Sequence, residues 1–337
     1  MKRKSDLIRL EDIARSAGVS TMTVSRALRG IEGVSETKRT EIEAIAKQLK
    51  YLPNLPAKAM VEASSGLVGI SFPTLFNEVF ADMLLGMRRV FEDQAIATIV
   101  STSDYNQSQE LAWAQRLVAW RPAGMVLTGC DHASELTSLL AGTGIPVVEI
   151  WDWRSDPIDM CVGLDHQETG YALASKIKAS GYRYPGFIGC PENIDPRAEA
   201  RLRGMAEAFD SEIPTGRSPS RNAFQVGFEA CAELLKGGRH IDVIFGLNDH
   251  VAYGAWMYLQ THDIVVPQDV GLVGFNGLGL LNVLPVELTT MRTPRERIGA
   301  LAAKAIVARS KGVKTPVSLK LKAEYILGQT TRRACWP

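Results

Sequence analysis

Residues 10–28 read LEDIARSAGVSTMTVSRAL. Ile13, Ala14 and Ala17 recur at helical spacing, Gly18 accepts a positive φ without a Cβ penalty, and Ser20 offers a hydroxyl to cap a following helix. Two short amphipathic helices meeting at a tight corner make a helix-turn-helix. The second helix buries Val24 and Leu28 and turns Thr21, Met22, Thr23, Ser25 and Arg26 outward, a narrow polar face suited to the major groove of a duplex. An ordinary helical hairpin carrying some Thr and Ser is the competing reading.

Working outward, Ser35 can cap a third helix, on which Ile42, Ile45, Ala46 and Leu49 share one face. It ends near Tyr51, where Pro53 and Pro56 stop it, and its other face carries Lys38, Arg39 and Lys47, to meet phosphates or simply water. Residues 1–60 hold twelve Lys or Arg against seven Asp or Glu, while the remainder holds 26 against 30, so the overall net charge of +1 hides a basic head. Phosphate neutralisation needs such a local positive field.

From Gly66 the period changes. LVGISF, IATIVS, GMVLTG, IPVVEI, MCVGLD, YPGFIG, DVIFGL and VGLVGF are short runs rich in Val and Ile, separated by segments of helical periodicity. Such runs read as buried parallel strands with crossover helices. At 337 residues, 46% hydrophobic and 22% charged, the chain is expected to be a soluble protein of two or three domains. No apolar run reaches about 18 residues and MKRKSDLIRLED lacks the apolar stretch of a secretory leader, so a cytoplasmic protein with no membrane partner is expected.

The chemistry expected is binding rather than turnover. No P-loop, HExxH or GxSxG occurs, and Gly274 to Gly279 has the wrong spacing and place for a dinucleotide. Cys130, Cys161, Cys190, Cys231 and Cys335 show no ligand spacing and are expected to be isolated thiols, with neither disulfide, metal nor cofactor. His132, His166, His240, His250 and His262 are scattered and expected on surfaces or loops. An enzyme on an open α/β sheet, and a sugar-binding or transport protein, are the rival classes; the first lacks a nucleophile, base or metal set, and the second has no use for the basic head.

Leu10-Glu11-Asp12-Ile13-Ala14, Ala17-Gly18-Val19-Ser20, Thr23-Val24-Ser25-Arg26 and Tyr51-Leu52-Pro53-Asn54, in this order, resemble the N-terminal signature of the lactose-repressor (LacI/GalR) family. Within it, Asn77-Glu78-Val79-Phe80-Ala81, Ile145-Pro146-Val147-Val148-Glu149 and Thr293-Pro294-Arg295-Glu296-Arg297 are most similar to the gluconate-operon repressor branch. The resemblance implies an all-α helix-turn-helix head (residues 1–53), a hinge (54–65) and an α/β periplasmic-binding-protein-like core of two doubly wound subdomains (66–337). The chain would cross between subdomains near residues 165, 291 and 321. One subdomain would hold about 66–165 and 292–320, the other 166–291 and 321–337.

It further implies a homodimer on near-palindromic operator DNA. Thr21, Met22 and Arg26 would read bases; Ser20, Thr23, Ser25, Ser35 and Asn54 would position phosphates, with Tyr51 alongside. Met60 would wedge into the minor groove, unless residues 54–65 are a plain linker. A small-molecule effector would lie between the subdomains against Asn77, Val79, Phe80, Arg201, Asn248, Asn276 and Thr293. Many members read Gly-Phe-Asp-Asp where this chain has Gly274-Phe275-Asn276-Gly277. A cleft short of carboxylates with Arg201 present suits a sugar acid, namely gluconate or a keto or phospho derivative. Residues 330–337 carry no leucine heptads, which favours a dimer.

Overall fold

The computed structural model describes residues 8–51, 65–279, 285–314 and 316–332, which separate into two compact units, 1–65 and 66–337. In the first unit, α1 (Leu10–Ala17), α2 (Thr21–Leu28) and α3 (Glu36–Gln48) enclose Ile13, Ala14, Ala17, Val24, Ala27, Ile42 and Ala46. Gly18 ends α1 at φ +63°, the left-handed corner that lets α2 start at once. Ser20 Oγ then accepts the Thr23 amide at 3.1 Å, and Ser35 Oγ accepts the Lys38 amide at 3.4 Å. Lys38 and Arg39 are not simply solvated: Lys38 Nζ donates to the Ala17 carbonyl at the end of α1 (2.8 Å), and Arg39 reaches the Ile31 carbonyl (3.3 Å).

The second unit alternates β1 (Leu67–Phe72), α4 (Glu78–Glu92), β2 (Ala97–Thr102), α5 (Gln107–Val118), β3 (Gly124–Thr128), α6 (Ser134–Ala141), β4 (Val147–Asp152) and β5 (Met160–Leu164). It continues with α7 (His166–Ala179), β6 (Pro185–Gly189), α8 (Pro196–Phe209), β7 (Thr215–Arg217), α9 (Ala223–Lys236), β8 (Val243–Gly246), α10 (Asp249–Thr261) and β9 (Gly271–Val273). Then come β10 (Thr290–Arg292), α11 (Arg295–Ser310), β11 (Ser318–Leu321) and β12 (Glu324–Ile326). All eight apolar runs of the sequence are strands. Together with β7 and β11 they form two parallel sheets, β11-β5-β4-β3-β1-β2 and β7-β6-β8-β9, joined by the antiparallel pair β10-β12. The chain passes between the sheets at β5 to α7, at β10 to α11 and at β11 to β12.

Each face of each sheet is covered by helices, as continuous apolar strands require. Met83, Met87, Ile298 and Ile306 of α4 and α11 pack on one face of the larger sheet, and Trp113, Leu117, Leu136 and Leu140 of α5 and α6 on the other. Around the smaller sheet, α7 and α8 lie opposite α9 and α10. Three of these helix pairs cross through reciprocal glycines. A Cβ on Gly227 would come within 1.9 Å of the Val251 carbonyl, and one on Gly254 within 1.9 Å of the Phe224 carbonyl; Gly86 with Gly299 and Gly170 with Gly204 repeat the device. Gly227→Ala is therefore expected to cost about 1–3 kcal/mol by prying α9 from α10, seen as a lowered urea midpoint. An unshifted midpoint would show that the crossing relaxes freely.

Candidate nucleic-acid face and ligand cleft

In the first unit, Ser20, Thr21, Met22 and Arg26 are exposed, Met22 to 65%, and Thr23 and Ser25 are half-buried. Ser20 and Thr23 bond each other through their hydroxyls at 2.9 Å, Ser35 is engaged as a cap, and Tyr51 packs against the small core. Asn54 and Met60 lie outside the described residues.

The carboxyl ends of parallel strands are where α/β sheets bind ligands, because loops diverge there and leave a crevice. In the second unit that crevice is a cavity of about 270 Å³ lined by Ser103, Tyr105, Thr128 and Asp152 from one sheet and Ile194 and Arg197 from the other subdomain. Asp152 closes β4, and its Oδ1 accepts Arg197 Nε across the cleft at 2.5 Å. Arg197 is buried, and against the cost of that burial Asp152 and Asp195 hold its charge in place. Burial alone would raise the Asp152 carboxyl; Arg197 and His166 outweigh it and hold it well below the usual carboxylate range.

His166 Nε2 lies 3.3 Å from the same Asp152 oxygen, and its Nδ1 faces Arg201 Nη1 at 3.2 Å. A guanidinium only donates, so Nδ1 accepts and the ring is the neutral tautomer with its proton on Nε2. Burial, which depresses the imidazole, works in the same direction. Arg201 also donates to the Leu247 carbonyl (3.1 Å), stacks 4.3 Å over the Phe275 ring and stands 4.0 Å from Asp195. The line Arg201–His166–Asp152–Arg197 thus runs from the core of the smaller subdomain into the cavity.

None of the seven residues expected against the effector lines that cavity itself. Arg201 stands behind it, linked through His166 to Asp152. Asn248 caps α10 with its oxygen on the Val251 amide (2.9 Å), and Asn77 caps α4 on the Val79 amide (3.1 Å), which in each leaves the amide NH₂ for another acceptor. Val79 and Phe80 sit in the apolar core, Phe80 against Phe72 at 5.5 Å. Asn276 adopts φ +100°, its carbonyl accepts the Thr293 amide (3.1 Å) and Arg295, and its buried Oδ1 has no partner among the described residues. Arg295 also holds Asp82 at 2.8 Å, tying this loop to α4.

Two expectations are corrected. The cleft is not short of carboxylates: Asp152 and Asp195 stand beside Arg197 and Arg201, because they come from the end of β4 and the cap of α8 rather than from the Gly274–Gly277 segment. His166 opens α7 and is buried in that cleft, so it is neither a surface nor a loop residue; His132 lies in the loop after β3, as expected, with its side chain buried between Glu110 (2.7 Å) and the Gly129 carbonyl (3.1 Å).

Behind the Asn276 loop, Asp249 is fully buried, its oxygens accepting Thr290 Oγ1 (2.6 Å) and the Leu278 amide (2.7 Å). Burial pushes its pKa up to about 7. The folded state then holds this proton more tightly than the unfolded chain, so the stability it contributes is complete below about pH 4 and is lost as pH rises through 7. Asp249→Asn, which can donate to Thr290 and accept from Leu278, is expected to flatten the fall in unfolding free energy between pH 5 and 7.5, read by denaturant titration at about half-unit steps. An unchanged slope would mean that Asp249 is already ionised at pH 5.

A three-helix head with a polar recognition face, followed by a two-sheet core with a charged cleft, defines a DNA-binding transcription regulator. The chain belongs to the LacI family: residues 9–54 match "Bacterial regulatory proteins, lacI family" and residues 66–326 match "Periplasmic binding proteins and sugar binding domain of LacI family". It is 31% identical to the HTH-type transcriptional regulator GntR of Escherichia coli K12 over 95% of this chain and 97% of that protein. The regulator IdnR of the same organism is 28% identical over 90% and 92%. A LacI-family transcriptional regulator from Silicibacter pomeroyi superposes with a TM-score of 0.88 at 34% identity, covering 97% of this chain and all of that one. Among the described residues, no helix is long and apolar enough to cross a membrane.

Proposed function

We propose that this regulator is a repressor whose grip on operator DNA is set by a sugar acid, gluconate or a keto or phospho derivative, bound in the cleft between the two sheets. The observation that carries the reading is the buried Arg197 guanidinium lining a cavity of a monosaccharide's scale, about 270 Å³, with a second buried guanidinium, Arg201, behind it. Resemblance to the gluconate-operon branch and identity with GntR support the same ligand class. Asn77, Asn248, Asn276 and Thr293 would meet hydroxyls, and Val79 and Phe80 would act from behind by seating α4. The protein would work in the cytoplasm as a dimer, for which exposed Phe224, Phe228 and Met257 offer apolar surface.

On the DNA side, Thr21, Met22 and Arg26 would read base edges, and Ser20, Thr23, Ser25, Ser35, Tyr51 and Asn54 would position the backbone, with Met60 wedged in the minor groove. Arg26→Ala is expected to cost about 1–3 kcal/mol of operator binding and to relax one operator position. Selection of bound duplexes from a random pool checks this; an unaltered consensus would remove Arg26 from the reading set. The effector reading is tested by calorimetry of gluconate against glucose and galactose, followed by gel shifts on the selected operator. Equal affinity for the neutral sugars would defeat it.

A further inference from the structure

The wall of the cleft against Arg197 is the loop of residues 129–132, between β3 and α6. Gly129 and Asp131 line the cavity, and a Cβ on Gly129 would fall 2.7 Å from Arg197 Nη2 and 3.3 Å from Asp152 Oδ2. Three side chains hold this loop by its carbonyls. His132 Nε2 meets the Gly129 oxygen at 3.1 Å, Arg154 Nη1 donates to the Cys130 oxygen at 3.0 Å, and Gln107 Nε2 donates to the Asp131 oxygen at 3.2 Å. Of the three, only the imidazole changes charge near neutral pH.

The His132 side chain is only 2% exposed, and charged groups from two elements face it. Its Nδ1 lies 2.7 Å from Glu110 Oε2 of α5, and its Nε2, besides the Gly129 carbonyl, lies 3.8 Å from Glu149 Oε1 of β4. Glu110 Oε1 accepts the Ser71 hydroxyl of β1 (3.1 Å), and Glu149 Oε2 accepts the Ile158 amide (2.7 Å). Glu149 Oε1 is buried with no hydrogen bond among the described residues, and Arg154, just past β4, stands 3.6 Å from it. Both ring nitrogens therefore face acceptors. Satisfying a carboxylate and a carbonyl together takes two N–H groups, which only the imidazolium has; a neutral ring would set a lone pair against one of them. Burial alone would depress the ring's pKa, but Glu110, Glu149 and the Gly129 carbonyl outweigh it and raise it. His166, which faces a guanidinium instead, is the opposite case.

We propose that His132 is a buried imidazolium that positions the wall of the cleft, and that binding of an anionic ligand there is linked to its proton. The linkage rests on the sugar-acid reading; the imidazolium does not. Loss of the proton acts twice in one direction. It releases either the Gly129 carbonyl or the Glu110 carboxylate, which loosens the wall beneath Arg197, and it makes the charge behind that wall one unit more negative, which disfavours an acid. Affinity is therefore highest with the ring charged and falls as pH rises through its titration. An aliphatic carboxylic acid such as gluconate stays ionised above about pH 6, so the change originates in the protein.

The test uses the full-length protein with nitrogen-15 in its five histidine rings, His132 being assigned by its loss in His132→Gln. Nuclear magnetic resonance is expected to show both His132 nitrogens protonated at about pH 6.5, with a titration midpoint above that of the urea-unfolded chain. Calorimetry should show gluconate affinity falling about tenfold between about pH 6 and 9, and by reciprocity saturating gluconate should raise the His132 midpoint by about one unit. His132→Gln should bind more weakly at the acid end and lose most of the pH dependence, while Glu110→Gln should lower the midpoint by about one unit or more. A bare ring nitrogen at about pH 6.5, a midpoint that bound gluconate does not shift, or a pH dependence that survives in His132→Gln overturns the proposal. Should the ring be doubly protonated while gluconate binds at no pH, the buried imidazolium stands, and the sugar-acid reading falls together with the linkage.

Discussion

Asp152→Ala is expected to destabilise the 66–337 unit by about 3–5 kcal/mol, because it takes from the buried Arg197 cation the carboxylate that bonds it directly and leaves only the charge of Asp195 nearby. Removing both charges together, as in Asp152→Ala with Arg197→Met, should restore much of the loss, since the pair gains little over an apolar replacement once its desolvation is counted. Urea denaturation of the two single variants and the double variant closes the cycle. The exposed Arg88–Glu92 pair has the same 2.5 Å length, but water screens it, and Glu92→Gln should scarcely move the midpoint. If the Asp152 and Glu92 variants lost equal stability, burial would not be what gives the cross-cleft pair its strength.

Arg201→Ala is expected to weaken binding of the sugar acid by about two orders of magnitude, equivalent to about 2.7 kcal/mol and within the range for a lost hydrogen bond to a charged group. The guanidinium supplies positive charge and also orients His166, whose ring in turn faces Asp152. Arg201→Lys keeps the charge but loses the fork, and should recover only part of the affinity. Calorimetry with gluconate measures both, and thermal unfolding of each variant separates lost binding from lost fold. Retained affinity in Arg201→Ala would move the acid-binding role elsewhere in the cleft.

Which parts of this were legible beforehand follows from how locally each was encoded. The eight apolar runs of the core are all strands, because fully buried parallel strands must be continuously apolar. The strands that went unread, β7, β10, β11 and β12, are three or four residues long, sit at sheet edges or in the connecting ribbon, and carry Arg, Lys, Glu or Thr in place of an apolar run. Lys38 reads as a solvated face residue until α1 ends beside it. The glycines at 86, 170, 204, 227, 254 and 299 look like flaws in helical segments; their purpose is visible only where each meets its partner helix.

In the cleft, Arg201 and Asn248 stood out because they lie in patterned segments. Asp152 and Arg197, whose ion pair spans the two sheets, lie 45 residues apart in the chain, and His166 and Arg201 lie 35 apart. The one local signal was Asp152 itself, a carboxylate at the end of an apolar strand, where ligand contacts concentrate.

The amino-acid order alone determined the helix-turn-helix, with its glycine corner and two serine caps, and the α/β character of the core, because both rest on interactions within a few residues. Tertiary structure alone decided the charge of the cleft, the tautomer of His166 and the crossing of helix pairs through their glycines. Each depends on which strand ends and helices face each other, and on the burial that strengthens a charge once water is gone.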